Sequence, residues 1–446
     1  MKLVGDLKYL AQSQGFLKLL GVRLVSQCAN GLFQAGLATL FFFNPYRSAD
    51  VNGVALALVV MLLPFSIIGP FTGPFIDRWS RRNILMWGNA LCGGITLLII
   101  GAVAGNIMWA QYVLALTGLG ITRIMLSTLS ASLPVVLRSK ERLLVANSLV
   151  PTLGGVSTVV GAVLGILLRL VLPTPAAQNL GSLALALVIY LISVWVVKAW
   201  FAERALGPET VKGGSFGHAL AEAARDLGEG LRYLWRRGTP SAALTTMSLH
   251  RFVYGMEFIT LILAARNLYT EPTDADHGLA LASTLFGAIL LGHAVSIVLT
   301  PIAHERIAPY QWILICLVGG TAGQLILALT TNFTAVMAGL FIFGIGVQGA
   351  KIAVDTIVQS DTADAFRGRA FSIYDVLFNV AECVAAGVCV AVLPTVGLSR
   401  PVQMVLVVFV WAVAAGYYAH IRALRNVPRA VLPEEYDAAR AASTLA

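Results

Sequence analysis

Among the basic residues inside the long apolar runs of this 446-residue chain, four stand well away from the ends of their runs: Arg23, Arg123, Arg251 and Lys351. A basic side chain at membrane depth costs about 2.5–3.5 kcal/mol on insertion scales, so four would cost on the order of 10 kcal/mol. Charges kept at that cost point to contact with a substrate or a coupling ion. The plainer account has them reach toward the cytoplasmic ends of their helices, where they snorkel to water or form gate salt bridges. Arg23 belongs to a longer pattern. Arg23, Gln27, Asn30 and Gln34 are spaced four, three and four apart, so they share one helical face. Such a stripe either lines a water-filled path, the reading favoured here, or packs against another polar helix.

The acids inside apolar runs are not spread evenly. Glu257, Asp355, Asp375 and Glu382 all fall in the second half. Lys351 and Asp355 are four apart and can neutralise each other. Asp375, Asn379 and Glu382 share one face, and His250 and Glu257 another. A carboxylate among apolar neighbours can take and release a proton as solvent access alternates. Glu257, Asp355 and Glu382 are the proton-coupling candidates. The competing reading is a structural hydrogen bond between helices.

The elements that must position these groups follow from composition. Hydrophobic residues make up 58% of the chain and charged ones 12%, with a mean hydropathy of +0.80. A soluble domain carries about 25% charged residues. The chain therefore reads as an all-α polytopic membrane protein. Its net charge of +9 fits the basic cytoplasmic loops of membrane proteins, and no nucleic-acid-binding motif supports the other account of such a charge. Cys28, Cys92, Cys316, Cys383 and Cys389 all sit in apolar runs without C-x-x-C spacing and read as small packing residues. The first span follows Lys2 and Lys8 with no clear signal-peptidase site, and is expected to be a retained anchor.

Twelve apolar segments can be marked, at about 16–43, 51–76, 84–104, 108–134, 147–171, 180–201, 241–265, 279–302, 311–330, 334–358, 370–394 and 401–422. Short connections carry turn chemistry such as Asn44-Pro45 and Gly105-Asn106. The one long connection, 202–240, places Phe216, Leu220, Leu227, Leu231 and Leu234 at helical spacing, with Glu222, Asp226, Glu229, Arg232 and Arg236 largely between them. That predicts an amphipathic helix on the membrane surface. The organisation is then 1–201 and 241–424 as two six-helix bundles, 202–240 as a cytoplasmic linker and 425–446 as a cytoplasmic tail. With both termini cytoplasmic, Lys and Arg of the loops gather inside, leaving Arg47, Arg266 and Arg400 outside.

Between the second and third runs stands Gly73-Pro-Phe-Ile-Asp77-Arg78-Trp-Ser-Arg81-Arg82, a charged hinge. Sliding the chain against itself by 228 residues brings Asp77-Arg78 onto Glu305-Arg306, Arg23 onto Arg251 and Arg123 onto Lys351. After a four-residue deletion, Ala146-Asn-Ser148-Leu149 falls on Ala370-Phe-Ser372-Ile373. The halves are repeats, and the second hinge is a reduced copy lacking the full arginine set.

The hinge resembles the signature loop between helices two and three of the major facilitator superfamily of secondary transporters. Leu133-Pro134 with Glu141 through Leu149, and Gln359-Ser-Asp361 with Arg367-Gly-Arg369-Ala-Phe371-Ser372, look like segments of its enterobactin-exporter and macrolide-efflux-like branch. The resemblance implies two pseudo-symmetric six-helix bundles that alternate access to a central cavity lined by spans one, four, seven and ten, each of which carries one of the four basic residues. Organophosphate–phosphate exchangers of the superfamily likewise place an arginine on their first and seventh helices. The expected function is proton-coupled export, by antiport, of an anionic or amphiphilic small molecule, as a monomer in the cell membrane. Gly161 and Gly165 match the fifth-helix pattern of drug–proton antiporters only in part, because no proline follows Gly165. A flippase for a lipid or lipid-linked precursor is the alternative within the fold. A membrane-embedded enzyme or receptor is the alternative outside it, and no catalytic motif supports one. No cofactor, metal or nucleic acid is expected. Gly344-Ile-Gly346-Val-Gln-Gly349 fits a dinucleotide fingerprint literally, but it lies within a span and follows no strand, so close helix packing is the better account. The main cytoplasmic latch is expected between Asp77, Arg78 and Arg81 and the start of span eleven near Asp375, with Glu305 and Arg306 contributing less.

Overall fold

The computed structural model describes residues 9–43, 50–72, 76, 78–137, 140–203, 205–207 and 216–425. Gly73 and Asp77 of the hinge lie outside the described residues, as do 208–215 of the linker and 426–446 of the tail. Among the described residues the fold is all helical, with no strand. The first half contributes α1 (Gln14–Phe42), α2 (Val51–Ile68), α3 (Arg81–Ala104), α4 (Met108–Leu137), α5 (Lys140–Val171) and α6 (Pro175–Trp200). The linker helix is Phe216–Arg237. The second half contributes α7 (Thr239–Asn267), α8 (Ala275–His304), α9 (Pro309–Leu329), α10 (Phe333–Asp361), α11 (Asp364–Val392) and α12 (Arg400–Arg425).

Local chemistry sets the ends. The side chains of Ser13, Asp274 and Asn332 accept from the backbone N–H groups of Phe16, His277 and Ala335, capping α1, α8 and α10. Gly238, at φ +81°, ends the linker helix and opens α7 in a conformation that favours glycine. Several helices run past the apolar segments that announced them. α5 begins at Lys140 and α11 at Asp364, because a backbone ladder continues into polar surroundings where hydropathy stops counting.

Among the described residues, nine helices carry a stretch long and apolar enough to cross a membrane. α1, α2 and α7 fall short. α2 is apolar but short, whereas α1 and α7 are long and hold the polar residues singled out above. Outward faces are apolar, with Trp87, Leu98, Val160 and Trp195 exposed in the first half and Leu291, Val298 and Val405 in the second. This is the surface that a bilayer covers.

The described residues form two compact units that divide between Ala224 and Arg225 within the linker helix, with Ala49–Ala55 grouped with the second. Several helix pairs of the first unit recur in the second. α1 lies on α5 and α6, and α3 on α4 and α6; α7 lies on α11 and α12, and α9 on α10 and α12. The repeat read from the sequence is thus a repeat of packing. α1 and α5 meet backbone to backbone: a Cβ on Gly31 would lie 2.0 Å from the Thr158 carbonyl oxygen, and one on Gly161 2.1 Å from that of Cys28. Small residues permit such approach in membrane helices.

Candidate functional site

In the first unit, Arg23 is the tenth residue of α1, about 14 Å along the axis from Gln14 at 1.5 Å per residue. It is only 6% exposed, so its guanidinium stays inside the protein instead of snorkelling to a surface. It lies over Gly154 of α5, where a Cβ would sit 2.6 Å from Nε. Nε and Nη1 are buried and have no hydrogen-bond partner. The rest of the stripe turns toward the same neighbour: Gln27 Oε1 accepts from Thr158 Oγ1 of α5 at 2.9 Å and from Asn30 Nδ2 at 3.5 Å. Asn30 is buried with Oδ1 unpartnered, and Gln34 is half-buried. Arg123 on α4 is half-buried, with Cζ 5.9 Å from the Phe65 ring centroid of α2.

In the second unit the basic residues are matched by acids. Arg251 Nε of α7 is ion-paired with Glu382 Oε1 of α11. Its guanidinium also lies over Tyr254 and Phe378, 4.2 and 5.3 Å from their ring centroids. Lys351 Nζ reaches Asp355 Oδ2 at 2.6 Å within α10, the neutralising pair expected from their spacing. Glu257 is 1% exposed. Its Oε1 accepts from Gln324 Nε2 of α9 at 3.2 Å and its Oε2 from Gln403 Nε2 of α12 at 3.0 Å. His250 packs instead near Phe343 of α10, with ring centroids 6.0 Å apart. Asp375 is half-buried, and its carbonyl accepts from Asn379 Nδ2 at 2.7 Å.

The hinge arginines bind their own unit. Arg81 Nη1 donates to the carbonyls of Ala131 at 2.8 Å and Leu206 at 3.3 Å, and Arg82 Nε to that of Phe201 at 3.3 Å. They hold the start of α3 against the end of α4 and the segment after α6. Arg78 is half-buried in the turn before α3. Glu305 and Arg306, at the end of α8, are both exposed.

The linker helix is held by side chains that the sequence reading did not pair. Arg369 of α11 reaches Asp226 at 2.9 Å and Glu229 at 3.4 Å. The Tyr233 and Phe366 rings stack with centroids 4.1 Å apart, and Tyr233 Oη accepts from the Ala363 N–H. Thr158, Gln324 and Gln403 were also not singled out. The two glutamines stand alone in apolar runs, a signal that was available; Thr158 offers none. Arg266, assigned to an outer loop, ends α7 buried and donates from Nη2 to the Pro272 carbonyl at 3.0 Å. The glycines of the false fingerprint pack helices. A Cβ on Gly344 would lie 2.4 Å from the Ile289 oxygen of α8, and one on Gly346 2.6 Å from the Cys316 oxygen of α9.

A family model for the Major Facilitator Superfamily matches residues 23–386, and the chain belongs to that superfamily. Rv0037c, an uncharacterized MFS-type transporter of Mycobacterium tuberculosis (strain ATCC 25618 / H37Rv), is 34% identical over 392 residues, covering 86% of each chain. YfiS, an uncharacterized MFS-type transporter of Bacillus subtilis (strain 168), is 23% identical over 372 residues, 80% of this chain and 82% of that one. The solved structure of the nucleoside transporter NupG matches with a TM-score of 0.64 at 11% identity, over 91% of this chain and 98% of its own. An auto-inhibited POT family peptide transporter matches with a TM-score of 0.67 at 12% identity, over 91% and 96%. These two show a shared fold. The chain is a multi-pass membrane transporter of the MFS type.

Proposed function

We propose that this transporter is a proton-coupled secondary carrier of an anionic or amphiphilic small molecule, working by alternating access of its two six-helix halves. The observation that carries the reading is Arg23. It is a guanidinium at 6% exposure with Nε and Nη1 unpartnered, on a helix whose apolar run holds no acid. An uncompensated buried charge is costly, and a ligand that supplies the missing negative charge relieves that cost. Gln27, Asn30, Gln34, Arg123, Arg251 and Lys351 are the further substrate-site candidates. Glu257, Asp355 and Glu382 are the coupling candidates.

The test is transport into proteoliposomes under a pH gradient, across a panel of organic anions, dyes and labelled lipids. Arg23→Gln should reduce movement of anions at least about tenfold, the scale of one lost charged contact, while leaving neutral substrates near wild type. Equal loss for charged and neutral substrates would overturn the anion reading. Transport of labelled lipid alone would favour a flippase.

Export in the cell membrane, with both termini cytoplasmic, follows from the loop charges and from the proposed kinship with enterobactin and macrolide exporters. Inside-out vesicles accumulating substrate, and cytoplasmic labelling of cysteines placed at either terminus, would support it. The monomer is likewise a proposal, open to mass measurement in detergent. A latch from Asp77, Arg78 and Arg81 to the Asp375 region completes the reading. Asp77→Asn should then slow exchange without changing substrate affinity.

A further inference from the structure

The two halves repeat their arginines but not their counter-ions. At the offset of 228, Arg23 corresponds to Arg251; at the offset of 224 that aligns Ala146 with Ala370, Thr158 corresponds to Glu382. The structure makes these positions equivalent in packing, because α1 lies on α5 as α7 lies on α11. In the first unit Thr158 donates to Gln27, and two nitrogens of Arg23 are left unpartnered. In the second, Glu382 occupies Arg251. The six apolar runs of the first half hold no Asp or Glu at all, so Arg23 has no internal anion within them.

We propose that Glu382 is a built-in competitor for the anionic group of the cargo at Arg251, so that an anion enters this site together with one proton. The step balances simply. The cargo anion takes the guanidinium, Glu382 is released from it, and a proton from solvent binds the freed carboxylate. Without that proton two negative charges would face one guanidinium, at a carboxyl whose side chain is 8% exposed. Arg23 needs no such exchange. The inference rests on the anion reading above. For a cargo held at Arg251 it makes proton and anion travel together, so that an inward proton gradient drives uptake, in place of the antiport and export that the branch resemblance implies.

Other titratable and charged groups surround the pair. His250, Tyr254 and Glu257 share α7 with Arg251; Tyr374, Asp375 and Cys383 share α11 with Glu382. His293 lies on α8, and Lys351 with Asp355 lies on α10. Lys351 is matched by Asp355, and both oxygens of Glu257 are held by amides. That leaves Glu382 as the carboxylate that an anion on Arg251 displaces.

The test uses the full chain in lipid nanodiscs and benzenesulfonate, whose sulfonate stays ionised across the working pH range. Its binding is followed with a tritiated probe, and proton uptake with an indicator dye in weak buffer. Wild type should take up protons on binding, and Arg23→Gln, which lacks the site that needs no exchange, should approach one per sulfonate. The affinity of that variant should fall by up to about tenfold per pH unit as pH rises. Glu382→Gln should bind without proton uptake and with no pH slope. Binding without proton uptake in Arg23→Gln, or uptake retained in Glu382→Gln, would overturn the inference and leave the anion reading standing. The histidines would then own any pH slope. No binding by wild type at any pH would remove the anion reading and the inference with it. Should Glu382→Gln fail to fold, Thr158→Glu decides. Proton uptake above wild type, from a competitor newly placed beside Arg23, supports the proposal, and unchanged uptake overturns it.

Discussion

Gln403 on α12 donates its side-chain amide to Oε2 of Glu257 on α7 across 3.0 Å. With Gln324 of α9 on the other oxygen, one carboxyl joins three helices of the second unit. Glu257→Ala would leave two buried amides without acceptors, at about 1–3 kcal/mol for each such group. We expect a clear fall in Tm for Glu257→Ala and a smaller one for Glu257→Gln, whose amide oxygen still accepts. Equal Tm for the alanine variant and wild type would show that the three-way contact does not support the bundle.

The linker helix offers a contrast between two kinds of contact. The Arg369 pairs with Asp226 and Glu229 involve acids 47% and 42% exposed, so solvent screening limits Arg369→Ala to about 0.2–1 kcal/mol per pair. Tyr233 is 6% exposed, stacks on Phe366 and accepts a backbone hydrogen bond, so Tyr233→Ala should cost about 3–5 kcal/mol. Amide exchange over 216–237 should therefore rise far more in Tyr233→Ala than in Arg369→Ala. The reverse order would mean that charge, not stacking, holds this helix.

Glycines of the false dinucleotide fingerprint should be intolerant for reasons unrelated to nucleotides. Gly344→Ala places a Cβ 2.4 Å from a backbone oxygen, and forcing the helices apart costs about 1–3 kcal/mol. Gly387 in α11 has nothing within 4 Å of such a Cβ, so Gly387→Ala should be neutral or stabilising by about 0.5–1 kcal/mol. Thermal shifts of the two variants should differ in sign or clearly in size.

Arg81 closes one end of the first unit by holding two carbonyls. Arg81→Ala removes charged hydrogen bonds worth about 1.5–3 kcal/mol each before discounting for partial exposure. A lowered Tm is expected, together with slower substrate exchange. Arg81→Lys, which keeps the charge but not the fork, should fall between alanine and wild type. A lysine variant no better than alanine would assign the role to geometry alone.

Much of this fold was legible from residues. Apolar runs located the twelve helices, Phe216 through Leu234 announced the linker helix, and Arg23 with Arg251 exposed the repeat. The spacing of Lys351 and Asp355 gave their pairing directly, because a helix fixes which residues four apart meet. The partners of Glu257 and Arg251 were not legible. They depend on how each helix is rotated about its axis, which the packing of many side chains sets and no local spacing records. Hydropathy was least informative at α1 and α7, where Arg23, Gln27 and Asn30 on the first and His250, Arg251 and Glu257 on the second dilute the signal.

The glycine contacts of the second unit have a mechanical consequence. α8, α9 and α10 touch through backbone, at Gly292 against the Phe341 oxygen, Gly323 against the Gly339 oxygen and Gly344 against the Ile289 oxygen. Where carbonyl meets Cα there is no side chain to change rotamer and absorb a displacement. Such a seam resists sliding and leaves no crevice for a wedge of lipid or cargo. These three helices behave as one keyed block, and whatever bending the second half undergoes must be taken up along its other faces.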